Sequence, residues 1–107
     1  MSKIQFQSEG ATYTLEFDRE TAMEAERLYD ISVNEVSQGK VSYLAPLFFA
    51  ALKKHHPHMK ATTKQALFDK MGNRAELYQR LSVMFAETAS SVLEDPDEGN
   101  ALTWKAI

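Results

Sequence analysis

Three histidines in four residues, His55-His56-Pro57-His58, form the densest group of potential metal ligands in this chain. A closed zinc site needs about four ligands in a tetrahedral array, held in place by further hydrogen bonds. There is no cysteine to complete such a set, and no His-x-x-x-His pair. The preferred reading is a polar helix end whose charge changes between about pH 6 and 7. Carboxylates are a second candidate, because Glu16, Asp18 and Glu20 lie close in sequence. General acid–base catalysis needs two carboxyls at a defined distance across a cleft, usually with one shifted pKa. On a strand, Glu16 and Asp18 share a face at a solvated edge, so they are expected to keep the outer face in water and to cap the following helix. The glycines are scattered at 10, 39, 72 and 99, which leaves no phosphate-binding loop, and no serine sits in a nucleophile elbow. No catalytic, cofactor-binding or metal-binding residue is expected, and the chain is not read as an enzyme.

Charge narrows the partners. The net charge is -3 over 107 residues. No general positive excess is available to neutralise a phosphate backbone. Lys53, Lys54 and Lys60 still make a local basic cluster, so a small nucleic-acid-binding or regulatory protein is the alternative reading. The absence of cysteine removes disulfides and thiolate sites and suits an intracellular protein. The N-terminus alternates polar and apolar residues, unlike a signal peptide. The longest apolar run, Tyr43 to Leu52, is ten residues, whereas a membrane span needs about 20. A soluble cytoplasmic protein is expected.

The elements that would carry these side chains can be read from periodicity. Ile4 and Phe6, then Tyr13, Leu15 and Phe17, alternate with polar residues around Ser8-Glu9-Gly10-Ala11. This is the pattern of a β-hairpin with one buried face. Asp18 is placed to cap a helix running to Tyr29 or Asp30. Ser32 to Glu35 matches a capping box for a short helical turn that Gly39 stops. The next helix starts near Ser42, holds Pro46 in its first turn and ends in Lys53-Lys54-His55-His56 before Pro57. Thr62 and Gln65 offer another capping box, and Gly72 a stop. Asn73 opens a helix of roughly 20 residues, with Leu77, Leu81, Met84, Phe85, Thr88 and Val92 on one stripe.

The expected fold is α+β: an N-terminal β-hairpin packed on a small bundle of about four helices. Residues 1–94 make a single domain. Residues 95–107 are an acidic linker, Asp95-Pro96-Asp97-Glu98, and an extended C-terminal tail. Leu102 and Trp104 fall on one face of that tail, which either docks on its own domain as a third strand or stays free for a partner. The helix from Tyr43 to Leu52 is apolar nearly all round, so it is core by default and a partner groove in the sharper reading. The candidate partner-binding residues are therefore Tyr43, Phe48, Phe49, Leu102 and Trp104.

Three stretches together resemble the small tail assembly chaperones of long-tailed phages and prophages. They are Tyr13 to Thr21, a hairpin strand entering a helix; Leu44 to Pro57, an apolar helix closing on Lys-Lys-His-His-Pro; and the extended ending Asn100 to Ile107. The resemblance implies a non-enzymatic role in the host cytoplasm during phage assembly. Such proteins are thought to bind the tape measure protein, keep its hydrophobic helices soluble and leave as the tail tube forms. In some members a ribosomal frameshift yields a longer form that recruits the tail tube protein. Self-association as a homo-oligomer fits the same role, and no membrane or nucleic-acid partner is implied.

Overall fold

The structure is a computed structural model that describes residues 3–94 and 99–107, the side chain of Ser37 aside. It opens on an antiparallel hairpin, β1 (Ile4–Ser8) and β2 (Ala11–Leu15), in the register Ile4↔Leu15, Phe6↔Tyr13 and Ser8↔Ala11. The two connecting residues, Glu9 and Gly10, both have positive φ, 50° and 80°. That is the turn geometry whose twist matches paired strands. Phe6 and Tyr13 stack across the pair with ring centroids 5.3 Å apart.

The chain then enters α1 (Arg19–Tyr29) without a linker. Asp18 caps it as expected. Its Oδ1 accepts from the Thr21 amide at 2.7 Å, and Thr21 Oγ1 accepts from the Asp18 amide at 2.9 Å. The two exchanged bonds make a capping box, with threonine in the place usually held by Glu or Gln. Asp30 ends the helix in the left-handed region, and Ile31 turns back into the core. A short α2 (Val33–Ser37) follows. The capping box expected at Ser32 does not form. Glu35 instead accepts hydrogen bonds from Tyr43 Oη at 2.6 Å and Lys40 Nζ at 2.9 Å. Gly39, at φ +80°, supplies the stop.

A 3₁₀ turn over Val41–Tyr43 leads into α3 (Leu44–Lys53), and Pro46 is its third residue, within the first turn. This helix is the centre of the molecule. Leu47, Phe48, Ala51 and Leu52 are fully enclosed, and β2, α1, α4 and α5 pack around it. Phe48 meets Phe68 edge-on at 5.5 Å and Phe6 at 5.9 Å, geometries that aromatic rings favour.

Helix α4 (Ala61–Lys70) begins one residue before the expected cap. Gln65 therefore lies too deep to close a box with Thr62, and its amide donates to Asp69 Oδ1 at 2.8 Å. Gly72 lies just beyond the end of α4 at Met71. Helix α5 (Arg74–Ser90) buries Leu77, Leu81, Met84, Phe85 and Thr88, the expected stripe. Val92 falls past its end, in a 3₁₀ turn over Ser91–Leu93, and is exposed. Among the described residues the architecture is α+β, a two-stranded hairpin packed against a body of five α-helices.

The tail corrects one expectation. Among the described residues the sheet has two strands, and 99–107 take no helical or strand structure. Leu102 and Trp104 do not complete the sheet. The acidic linker at 95–98 lies outside the described residues.

Candidate functional site

The polar cluster closing α3 has a geometry the sequence does not reveal. Glu16 was expected at a solvated edge, yet its side chain is buried. The chain turns from β2 into α1 beneath the end of α3, so Leu15, Glu16 and Phe17 are enclosed in succession. The Glu16 amide donates to the Ala51 carbonyl at 3.0 Å. Its carboxylate receives His55 Nε2 at 2.7 Å and Lys54 Nζ at 3.1 Å. Because a carboxylate only accepts, His55 Nε2 carries the proton in this bond.

Burial acts to raise the pKa of Glu16. The hydrogen bonds from His55 and Lys54, with the Lys54 charge, outweigh it and hold the carboxyl below its ordinary value. A carboxylate fixed in its ionised form by two donors is a clasp. A general acid would need the opposite shift.

The neighbouring basic residues are spent in the same way. Lys53 pairs with Glu24 of α1. His56 Nε2 accepts the Thr14 amide at 3.2 Å, and its ring lies 5.3 Å from that of Tyr13. Burial, and then the proximity of His55, depress the His56 pKa. Four consecutive side chains thus fasten the end of α3 to three places: α1, the β2–α1 junction and the outer edge of β2. The His55 and His56 imidazoles go to different partners, and no group of metal-competent side chains forms among the described residues. The basic cluster considered for nucleic acid is likewise committed at Lys53 and Lys54.

The five candidate partner-binding residues divide. Phe48 is wholly enclosed, and Tyr43 is buried with its one hydroxyl proton shared between Glu35 at 2.6 Å and the Asp30 carbonyl at 3.1 Å. Both belong to the core, so the groove reading of the apolar helix does not hold for them. Phe49 is partly covered and packs on Phe68 at 5.9 Å. Leu102 and Trp104 are 93% and 87% exposed. The structure therefore leaves the tail as the accessible part of that set, together with Ile107.

The surface that sequence reasoning missed lies along α5. One groove of about 770 Å³ runs between α2 and α5, lined by Val36, Val41, Tyr78, Val83 and Ala86. Another of about 570 Å³ lies between β1 and α5, over Ile4, Val83 and Met84, with Lys3 and Arg80 at its rim. The ridge between them is the outward pole of α5: Ala75, Gln79, Val83, Ala86 and Ser90. It carries no charge, although solvent-facing helix poles ordinarily do. The signal was present as an uncharged residue at each of these positions, but the inward stripe of the same helix accounts for its amphipathicity and hides it.

Among the described residues no helix is long and apolar enough to cross a membrane. No curated protein and no solved structure gives a significant match to the chain. A family model described as "Domain of unknown function (DUF5055)" matches residues 1–107, and the chain belongs to that family.

Proposed function

We propose that this protein is a non-enzymatic tail assembly chaperone of a long-tailed phage or prophage, which holds the tape measure protein until tail tube subunits polymerise around it. The carrying observation is the tail. Leu102, Trp104 and Ile107 project from a body whose other large aromatic side chains mostly pack on one another. Exposed tryptophan on an extended segment is a common form of binding anchor. A client made of apolar helices needs such an adaptable contact and no chemistry. The clasp at Glu16 serves this role by fixing the body from which the tail extends.

Co-expression with the tape measure protein tests the proposal. The client should become more soluble and co-purify with this chain, and Trp104→Ala with Leu102→Ala should release it. A client equally insoluble with and without the chaperone, and absent from the pull-down, would refute the reading. Salt-titrated gel retardation checks the nucleic-acid alternative, and no retardation is expected with Lys53 and Lys54 already paired.

A further inference from the structure

We propose that the outward face of α5 is a self-association surface, on which a second copy of this chain packs its own α5 antiparallel across a two-fold axis near Val83. The face has the shape for it. Val83 is 55% exposed at mid-helix, and grooves open on both sides of the ridge it tops. Ala75, Ala86 and Ser90 are small enough to let two helix axes approach to about 8 Å.

Charge selects a second copy over an unrelated helix. Arg80 and Glu87 stand seven residues apart on one flank of α5, which is about two turns and so nearly the same angular position. An antiparallel copy centred between them sets Arg80 against Glu87 of the second copy, and the two-fold axis repeats the pair. Both side chains are exposed, and Glu87 has no ion-pair partner among the described residues. Arg80 reaches Glu76 of its own helix at 3.3 Å, and its guanidinium has further donors for a second carboxylate. A parallel copy would turn this flank of the two helices to opposite sides of the seam, where Arg80 and Glu87 could not meet.

The contact is one helix long, about 25 Å, at the small end of specific interfaces. The dimer should therefore depend on concentration. It uses a surface separate from the tail and stands independently of the client reading.

Sedimentation of the full tag-free chain, over a series reaching about 1 mM, reads it directly. The average mass should rise from monomer to dimer. Arg80→Glu and Glu87→Arg should each weaken association by about tenfold, because each places two like-charged pairs across the axis. The double variant R80E/E87R should restore it, while Glu76→Gln should leave it unchanged. Val83→Asp, with circular dichroism to show an intact fold, should abolish it. A monomer at every concentration overturns the proposal. So does a dimer indifferent to both single reversals, or a double variant no tighter than the singles. A monomeric R80E chain that still retains the tape measure protein separates this surface from the client site.

Discussion

Replacing Glu16 with glutamine keeps the side chain's shape and removes its charge. The wild-type carboxylate accepts two charge-assisted hydrogen bonds, from His55 at 2.7 Å and Lys54 at 3.1 Å. Such bonds are each worth about 1.5–3 kcal/mol, and breaking a fully buried ion pair costs about 3–5 kcal/mol. Here the acceptor is buried, but the lysine and histidine side chains are 31% and 37% exposed. Water can replace part of what each donor loses, and the amide oxygen still accepts one bond. The expected loss is about 2 kcal/mol, or about 10 °C in the thermal midpoint of a domain this size. Urea titration followed by far-UV circular dichroism should show a lower midpoint with an unchanged slope.

The acid limb gives a second reading of the same variant. The folded-state pKa of Glu16 lies below its ordinary value. The clasp therefore contributes fully above about pH 4.3 and is lost as pH falls through the lowered value. Glu16→Gln should flatten the stability profile in that acid window. A variant with the wild-type midpoint at pH 7 and the wild-type acid limb would refute the argument that the clasp holds the fold together.

Other outcomes follow from the same packing. His56→Phe removes the acceptor of the Thr14 amide and should cost about 1 kcal/mol at pH 7.5. Because the folded-state pKa of His56 is depressed, its contribution is complete above about pH 6.5 and falls as the pH drops. Denaturation at pH 7.5 and 5.5 should show a smaller difference in the variant than in the wild type. Phe48→Ala empties a fully enclosed site and should cost about 3–5 kcal/mol by urea titration. Gly39→Ala meets open space but keeps a φ of +80°, and should cost about 1 kcal/mol in the same assay.

Local chemistry was legible where a single residue decides it. The Glu9-Gly10 turn, the Asp18 cap, the Gly39 stop and the proline at the head of α3 are all set by neighbours in sequence. Capping boxes read by type alone were less secure. Ser32 and Thr62 match the pattern, but Glu35 has a better partner in Tyr43 and Lys40, and α4 starts two residues earlier than a Thr62 cap requires. The clasp was not legible at all. Glu16 and His55 are 39 residues apart, and periodicity carries no information about a contact across that distance. Alternation also misplaced Glu16, because it assumes that the strand continues through 16. The strand ends at Leu15, and the following turn buries both faces of the chain. The apolar circumference of α3 was correctly readable as burial. Its partners on every side are what remove Phe48 from the surface.

The position of Trp104 gives the molecule an optical property of its own. It is the single tryptophan of the chain, and it sits on the tail with 87% of its surface exposed. Indole emission excited apart from the four tyrosines therefore reports the solvent around the tail and is nearly blind to whether the body is folded. Unfolding should leave that emission close to where it began. Capture of the tail by any apolar surface should move it to shorter wavelength, so the untagged chain can serve as its own titration probe for the client, with backbone dichroism tracking the fold on a separate channel.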